Sequence, residues 1–362
     1  MSVALRELVR RPGRFAPVVA ALSLLVLLLV ILGGFLDGLT LDQTGALRAQ
    51  GEVAYVSTAE AGLLPDLSRV RDDVRERVSA VDGAAAVGGL SRITTTASVS
   101  GETVDVVAYG YDQATGRLPA PPDAGGAIVD RRLADRAAVA VGDRLTVGPA
   151  DREVTVEEFV ADASDGAPTV WLPMDTWREL VAEAAPSSPL ARSGDQLLVV
   201  VPADGVSVDD LVTALGDLDA DVAVGTLADA VAALPAVTQQ AATFQGIIGV
   251  TFVVALIVVA LFFVLLTLER LRLYAVLKAI GGRTGDLLAG LAAQAVGIAV
   301  VALVIGGLLA LALTIVLPPE LPVRVLPSRL ALLAAGTVLT ALIGALGTLR
   351  RLLRIDPARA IG

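Results

Sequence analysis

The sequence predicts a membrane protein with four transmembrane α-helices and a large α+β extracytoplasmic domain inserted between helices 1 and 2. Three observations predict this fold class: 55 % hydrophobic residues with a mean hydropathy of +0.73, four long uncharged stretches, and an uneven distribution of charge along the chain. Soluble domains contain about 45–50 % apolar residues. Insertion into a bilayer is therefore the first expectation.

Each of the four uncharged stretches is long enough to cross a membrane. About 20 apolar residues, rising about 1.5 Å each, span a hydrocarbon core of about 30 Å. A buried helix of a soluble protein is the alternative for any one stretch, but such a helix usually keeps a polar stripe. The predicted spans are residues 15–36, 244–268, 287–317 and 330–349.

The first stretch also has features of a secretory signal peptide, because Arg6, Arg10, Arg11 and Arg14 precede it. Its apolar run of 22 residues is longer than the about 7–15 residues of a signal peptide, and no clear small-x-small cleavage site follows Phe35. An uncleaved membrane anchor fits the pattern better.

The distribution of charge predicts the orientation in the plasma membrane. Residues 1–14, 269–286 and 350–362 together carry 12 of the 28 basic residues and four of the 38 acidic ones. The positive-inside rule places these segments and both termini in the cytoplasm. Residues 37–243, which are strongly acidic, and the short loop 318–329 are then external. An acidic exterior can attract cationic partners, but solubility or adaptation to salt is the preferred interpretation.

The large external segment, about 200 residues long, can form its own core. Its first periodic stretch predicts a helix with one apolar face, because apolar residues recur at spacings of three and four. The residues of this face are Leu67, Val70, Val74, Val78 and Val81, and Gly83 is expected to end the helix.

Other patterns in the external segment predict strands and further helices. β-branched residues on both sides of Ser100-Gly101 predict a hairpin. The stretches DRLTVG, REVTVEEFV, TVWLP and QLLVVVP predict strands, and DTWRELVAEA and SVDDLVTAL predict helices, the second capped by Ser207 with Asp210. Near its end the segment is expected to continue from LADAVAALPAV as one helix into the second span, which would transmit movement across the membrane surface.

Several kinds of chemistry are disfavoured by composition. The chain has no cysteine and no histidine, so disulfides and the commonest metal ligand and general base are missing. Lys278 is the only lysine, and it lacks the directly following Ser or Thr of a P-loop. The predicted spans contain no Asp, Glu, Lys or Arg, which ion-coupled carriers usually need at membrane depth. We expect no catalytic site, no metal or cofactor bound by this chain and no nucleic-acid partner.

The remaining polar features are interpreted as structural. Adjacent acidic pairs such as Asp72-Asp73 and Glu157-Glu158 are typical of solvated faces. Gln294 lies within the third span, where an interhelical hydrogen bond is preferred to a role in lining a cargo path. Pairs of small residues let helices pack closely, in one bundle or between two copies. These pairs are Gly33-Gly34, Gly306-Gly307 and Gly344 with Gly347.

The segment ERLRLYAVLKAIGGRTGDLL continues directly from the second span and contains most of the basic charge between spans two and three. Its pattern predicts a cytoplasmic extension of the helix, a turn at Gly281-Gly282 and re-entry into the membrane. From the residues alone, anchoring at lipid headgroups and docking of another protein remain open alternatives. We call residues 269–286 the coupling segment.

The order of these features resembles the FtsX-like and MacB-like ABC transporter permeases, a four-span group with the type VII fold that includes DevC-type and HrtB-type permeases. LRLYAVLKAIGGRTGDLL is similar to the segment before their third span, RRLLRIDPARAIG to their C-terminal end, and AVGDRLTVGPADREVTVEEFVAD to a strand region of their outer domain. The resemblance covers essentially the whole chain. Arg272 and Leu273 depart from it, since the family commonly has Arg-Glu there.

The resemblance implies a homodimer with two cytoplasmic ATPase subunits, which would bind ATP and Mg²⁺. Closure of the ATPases would move the outer domain and drive efflux of a hydrophobic or amphiphilic substrate, such as a haem-like compound, lipid, lipopeptide or drug. An FtsX-like signal transducer that activates an extracellular protein, such as a cell-wall hydrolase, is the alternative. A receptor with four membrane anchors and no ATPase is a third possibility.

The resemblance also assigns roles to individual residues. Contact with the ATPase is assigned to Arg272, Tyr274, Lys278, Ile280, Gly281, Gly282 and Arg283. Stabilisation of the cytoplasmic end of the bundle is assigned to Arg350, Arg351, Arg354, Asp356 and Pro357.

Overall fold

The computed structural model describes residues 12–99, 101–218, 221–269, 284–318 and 321–352. The chain divides into two compact units, one formed by Met1–Gly38 with Gln240–Gly362 and the other by Leu39–Gln239. We call them the span unit and the outer domain. Among the described residues, four helices are long and apolar enough to cross a membrane, and the outer domain between the first two contains strands and helices. This arrangement confirms the predicted fold class.

The first helix, α1, covers Pro12–Gln43. Its apolar residues contain the predicted span 15–36, and the helix then continues without interruption past Gly38 into the outer domain. The predicted span limits stay predictions, because a helix end does not mark a bilayer surface.

The outer domain alternates strands and short helices. Its helices are α2 (Gly45–Ala49), α3 (Asp72–Ser79), α4 (Arg131–Ala137), α5 (Met174–Ala184), α6 (Val208–Gly216) and α7 (Leu227–Ala233). Its strands are β1 (Ala54–Thr58), β2 (Ala84–Val99), β3 (Glu102–Tyr111), β4 (Gly126–Asp130), β5 (Arg144–Val147), β6 (Arg152–Val160), β7 (Thr169–Pro173), β8 (Leu197–Pro202) and β9 (Val222–Gly225).

The described strands form one sheet in the order β3-β7-β4-β6-β5-β2-β8-β1-β9, and β3 also pairs with β2. The second pairing closes β2 to β7 into a small barrel. Strand β2 is long enough to take part in both regions of the sheet. Its residues Leu90 to Val99 pair with β3, whereas Ala84 to Leu90 pair with β8. We call the closed part with α4 and α5 the barrel lobe, and β8, β1 and β9 with the first half of β2, α3 and α6 the sheet lobe.

Each lobe has an apolar core of its own, and a third core contains residues of both lobes. Trp177 and Leu133 are fully buried in the barrel lobe, where the indole N–H of Trp177 donates to the carbonyl of Ala108 at 3.0 Å. In the sheet lobe, Val74 of α3 and Leu211 of α6 pack on one face of β1 and β8. Burying such side chains contributes about 1.5–3 kcal/mol each.

Most predicted elements of the outer domain are confirmed. The hairpin turns between β2 and β3, with Gly101 at a φ of +86° that glycine adopts readily. The four predicted strands correspond to β5, β6, β7 and β8, and the two predicted helices to α5 and α6. The hydroxyl of Ser207 accepts a hydrogen bond from the amide of Asp210 at 3.1 Å, as expected of an N-cap.

The helix predicted from Leu67 to Gly83 is shorter than expected. Helix α3 begins only at Asp72, because Val70 is extended and exchanges backbone hydrogen bonds with Asp195 at 2.7 and 2.9 Å. Val74 and Val78 are buried as predicted, but Leu67 lies in a 3₁₀ turn and is 71 % exposed. The N-terminal part of that prediction is wrong, since a long-range bridge overrides local periodicity.

The continuous helix predicted from LADAVAALPAV into the second span is confirmed only from Pro235 onward, and its N-terminal part is wrong. Helix α7 ends at Ala233, Leu234 is extended (ψ 114°), and a new helix, α8 (Pro235–Glu269), begins at the proline. The ring of Pro235 disfavours helical backbone at the preceding residue, which explains the break. Helices α1 and α8 each continue unbroken across the boundary between the two units, at Gly38–Leu39 and at Gln239–Gln240.

Two further helices complete the span unit: α9 (Thr284–Val316) and α10 (Pro327–Leu352). Phe15 of α1, Phe263 of α8 and Leu291 of α9 are buried together with small residues of α10, including Ala341 and Ala345. Much of the remaining apolar surface of these helices is exposed, as expected for contact with lipid or another subunit.

Candidate functional site: the ends of the membrane bundle and the joint of the outer domain

The predicted ATPase contacts in the coupling segment lie outside the described residues. The structure describes the helices on either side, with α8 ending at Glu269 and α9 beginning at Thr284. The assignments therefore stay predictions for Arg272, Tyr274, Lys278, Ile280, Gly281, Gly282 and Arg283.

The predicted stabilising residues of the tail are divided by the end of α10. Arg350 and Arg351 lie in the last turn of this helix. Arg354, Asp356 and Pro357 lie outside the described residues. The role assigned to the group stays a prediction.

An ion pair joins the start of α1 to the end of α8. Arg14 Nη2 contacts Glu269 Oε2, and the rings of the neighbouring Phe15 and Phe262 lie 5.9 Å apart. We call this contact the inner ion pair; it holds the last residue of α8 against the first turn of α1. From sequence, Arg14 was used only to predict the orientation in the membrane. The sequence did contain a sign of the ion pair, because Glu269 is an acidic residue at the end of an otherwise uncharged helix.

The interior of the bundle contains few polar side chains. Gln294 is buried on α9, between Leu291 and Ala295 of the packed core, whereas its predicted interhelical hydrogen bond stays a prediction. The hydroxyls of Thr267 and Thr337 donate to carbonyls four residues earlier in their own helices. The two threonine hydroxyls are thus satisfied within their own helices, and the described interior of the bundle is largely apolar.

Some of the predicted glycine pairs bring helices together. A Cβ on Gly306 would lie 2.6 Å from the carbonyl oxygen of Ser23 on α1, and one on Gly344 would lie 3.0 Å from Val259 on α8. Gly307 and Gly347 face open space instead. In each of these two pairs, one glycine therefore lies against a neighbouring helix of the bundle. Small residues allow such close packing of helices in membranes.

A buried carboxylate connects the two lobes of the outer domain. Asp195 accepts from Arg75 of the sheet lobe at 3.3 Å and from Arg178 of the barrel lobe at 3.1 Å. Arg75 also pairs with Asp112, at 2.6 Å, directly after β3. We call Arg75, Asp112, Arg178 and Asp195 the lobe clip. Its members come from different parts of the sequence, so local patterns did not reveal it.

Burial governs the protonation of the lobe clip. The side chain of Asp195 is 2 % exposed, and burial raises its pKa to about 6 although Arg75 and Arg178 oppose the shift. Asp112 adds like charge and raises the pKa further. The joint therefore contains a carboxylate that titrates at mildly acidic pH.

A second polar joint lies beside the lobe clip. The guanidinium of Arg92 on β2 donates to Asp66 at 2.6 and 3.0 Å and also contacts Asp165. The hydroxyl of Tyr109 donates to Asp165 at 2.7 Å, and the Tyr109 ring stacks on Trp171. Each charge has a partner, so this cluster stabilises the domain and offers no reactive group.

A mostly apolar groove of about 810 Å³ lies within the outer domain between the end of α1 and the start of α7. Its apolar wall includes Leu41, Val206, Val208, Leu227 and Val231. Grooves of about 300–1,000 Å³ with such walls hold small molecules. Among the described residues, no group of three or more acidic side chains could hold a metal ion.

Two consecutive parts of the chain match known families. Residues 18–218 match the MacB-like periplasmic core domain, and residues 246–357 match the C-terminal domain of FtsX-like permeases. The chain belongs to the FtsX-like and MacB-like ABC transporter permeases. This confirms the resemblance stated from the motifs.

Curated relatives of this permease carry the same family name. Two uncharacterized ABC transporter permeases of Mycobacterium tuberculosis are 28 % and 27 % identical, each over 99 % of this chain and 98 % of the relative. The putative hemin transport system permease protein HrtB of Staphylococcus haemolyticus is 32 % identical over 31 % of this chain and 32 % of its own length.

Solved structures of outer domains are also similar to the permease. The periplasmic region of MacB from Actinobacillus actinomycetemcomitans matches 50 % of this chain and 92 % of its own, with 14 % identity and a TM-score of 0.37. The extracellular domain of the noncanonic ABC-type transporter YknZ from Gram-positive bacteria matches 48 % and 98 %, with 12 % identity and a TM-score of 0.33.

Family membership determines the general biochemistry. The permease is a multi-pass membrane protein with an extracellular domain, and permeases of this family work with an ABC ATPase. The relatives are named permeases, which are not enzymes themselves. Family membership therefore implies an ABC ATPase partner for this chain.

Proposed function

We propose that this permease is the membrane subunit of an ABC exporter in which a cytoplasmic ATPase drives movement of the outer domain. The observation that supports this proposal is the unbroken helix α1, Pro12–Gln43, which continues from the span unit into the outer domain. At about 1.5 Å per residue it is about 48 Å long. It starts beside the inner ion pair at Arg14 and ends inside the outer domain, so displacement at one end is passed along the helix.

The proposed cargo is hydrophobic or amphiphilic. The described bundle interior presents almost no charged group, which disfavours a path for ions or polar solutes. The outer domain offers the apolar groove beside Leu41 and Leu227. A haem-like compound, lipid, lipopeptide or drug has the apolar surface that these regions favour.

We further propose that two copies of the permease associate through α8, with two ATPase subunits. Exposed apolar residues on α8 repeat at alternating spacings of three and four, the pattern of a helix-packing seam. The seam is formed by Ile247, Val250, Val254, Ile257 and Leu261. Gly246 and Gly249 border it, and a Cβ there would meet no other atom of the chain.

The central experiment tests the coupling segment with its own ATPase in lipid nanodiscs. Lys278→Glu combined with Arg283→Glu should abolish the stimulation of ATP hydrolysis by an amphiphilic substrate, because the reversed charges oppose docking. Arg136→Glu with Arg192→Glu, two reversals on the outer domain, is the matched control and should keep stimulation. Equal stimulation in both double variants would refute the assignment of this segment.

The same preparation separates export from signalling. Stimulation of hydrolysis by a panel of amphiphiles, together with their ATP-dependent transport, supports the exporter. Stimulation only by an extracellular protein, with no transported compound, supports the FtsX-like transducer instead. A permease that neither binds nor stimulates the ATPase contradicts both.

Cysteine cross-linking tests the dimer, because the natural chain has no cysteine. Val250→Cys lies in the proposed seam and should form a disulfide between two copies in nanodiscs. Leu311→Cys on α9 is equally exposed and serves as the control. Equal cross-linking at both positions would indicate random collision and contradict an α8 interface.

A further inference from the structure

At the outer face of the span unit, the segment leading into α10 fits a notch in α1. Gly34 and Gly38 form this notch, one helical turn apart. A Cβ on Gly38 would overlap the carbonyl of Pro322, and one on Gly34 would lie 2.9 Å from Val325. The amide of Arg324 donates to the carbonyl of Gly34 at 2.8 Å. The close approach of the two backbones therefore requires glycine at both positions.

An ion pair closes the same contact. Asp37 on α1 is 5 % exposed and accepts from Arg329 Nε at 3.0 Å and from Nη2 at 2.5 Å. The aliphatic part of Arg329 lies over Gly33, whose Cβ position is 3.4 Å from it. A forked contact of this kind fixes geometry as well as charge. Leaving Asp37 buried without Arg329 would be strongly unfavourable.

We propose that residues 322–329 form an outer clamp that holds α1 and α10 as one rigid body, with Asp37 and Arg329 as positioning residues for ATP-driven movement. This inference rests on the proposed function. Helices α1 and α8 both continue into the outer domain, and α1 is the one that carries Asp37 and the glycine notch. By fixing α1 to α10, the clamp passes movement of the whole bundle to α1.

The charge pair is tested in the full permease with its ATPase in nanodiscs, using a fluorescent amino acid at exposed position 204 to report movement of the outer domain. Asp37→Asn should weaken the ATP-dependent signal about tenfold, within the usual range of coupling free energies, while ATP hydrolysis continues. The exchange Asp37→Arg with Arg329→Asp should restore the signal. A structural role alone would lower stability without uncoupling hydrolysis from movement.

The notch is tested independently by adding one methyl group. Gly38→Ala should displace the segment from α1 and reduce the signal as Asp37→Asn does. Gly307→Ala is the matched control, because that Cβ would meet no atom within 4 Å, and it should behave as the natural protein. Equal signals in both variants would overturn the clamp.

A cross-link decides whether the contact stays closed during the cycle. The Cβ position of Gly33 lies 3.5 Å from Leu333 Cδ1, so a short thiol-reactive cross-linker should join Gly33→Cys to Leu333→Cys across α1 and α10. A rigid clamp predicts full movement after cross-linking, whereas loss of movement on cross-linking overturns it. If the natural permease itself shows no ATP-driven signal, the proposed function fails; if it does and Asp37→Asn matches it, only the clamp fails.

Discussion

The two units of the permease use charge in opposite ways. In the outer domain, arginines and carboxylates cross-link distant elements, as in the lobe clip around Asp195 and the joint around Arg92. In the described part of the span unit, ion pairs occur at the two ends of α1, Arg14 with Glu269 and Asp37 with Arg329. The apolar helices between these ends associate through small residues and close packing.

This difference follows from the solvent of each unit. In water, burial of apolar side chains drives folding and ion pairs specify which elements meet. In lipid, helices gain little from leaving an equally apolar solvent, so packing detail and polar contacts at the membrane surfaces determine the arrangement. The outer domain should therefore respond strongly to loss of core volume, whereas the arrangement of the span unit should depend on close helix packing and on its buried polar contact, Asp37 with Arg329.

The largest expected effect is loss of core volume in the outer domain. Trp177→Ala removes a fully buried ring and its hydrogen bond to Ala108, which should lower the free energy of unfolding by about 3–5 kcal/mol. Denaturant titration of the full chain in detergent, followed by Trp171 fluorescence, measures this change. Phe263→Ala, equally buried in the bundle, should leave the Trp171 transition in place. If Phe263→Ala lowered the free energy of unfolding of the outer domain as much as Trp177→Ala does, the contrast between the two units would be contradicted.

The next effect is a pH dependence from the lobe clip. The folded pKa of Asp195 is raised to about 6 from an ordinary 3.8, so the folded state binds the extra proton between these values. Stability should therefore fall as pH rises from about 4 to 6, by at most about 1.4 kcal/mol per pH unit. Asp195→Asn should remove this slope in unfolding titrations. Asp204→Asn, an exposed control, should keep it, and a slope unchanged in both variants contradicts the assignment.

A smaller effect is expected at a helix cap. Ser207→Ala removes the acceptor for the Asp210 amide and should lower the stability of the outer domain by about 1 kcal/mol. Thermal unfolding followed by tryptophan fluorescence measures the difference. Ser187→Ala, the same change in an exposed loop, should have no effect. Similar losses for both would show that the cap contributes nothing specific.

The smallest effect on stability is expected at the inner ion pair, which is partly exposed. A double-mutant cycle with Arg14→Gln and Glu269→Gln should give a coupling energy of at most about 1 kcal/mol. The coupling should decrease as salt is added, because exposed charges are screened. Thermal unfolding of the bundle in nanodiscs at two salt concentrations measures it. A large, salt-independent value would place this pair with the buried contacts of the outer domain.

Local patterns were sufficient for much of the fold. The spans, the hairpin at Gly101 and the Ser207 cap depend on neighbours in sequence, so composition and spacing predict them. The start of α3 at Asp72 was not predicted, because the bridge between Val70 and Asp195 joins residues far apart in sequence. The break before Pro235 could have been predicted from sequence, because proline disfavours helical backbone at the preceding residue. The prediction of one continuous helix gave more weight to the helical composition of the segment.

The candidate site was predicted less completely. The motifs pointed to the coupling segment and to the family, and the family is confirmed. The contacts of Asp37 with Arg329 and of Asp195 with Arg75 join residues far apart in sequence. In sequence these charges look like those of a solvated surface, because nothing local reveals which ones the fold will bury.

The long strand β2 has a consequence for biosynthesis. Strands β2 to β7, which form the barrel, lie within residues 84–173. Among the described strands, β1 pairs with β8 and β9, and both of these partners leave the ribosome later than the barrel strands. During synthesis the barrel lobe can close while β1 and the first half of β2 still expose unpaired edges, which favour association with other chains. A nascent chain that stalls before Leu197 would therefore be an aggregation-prone substrate for chaperones and proteases outside the membrane.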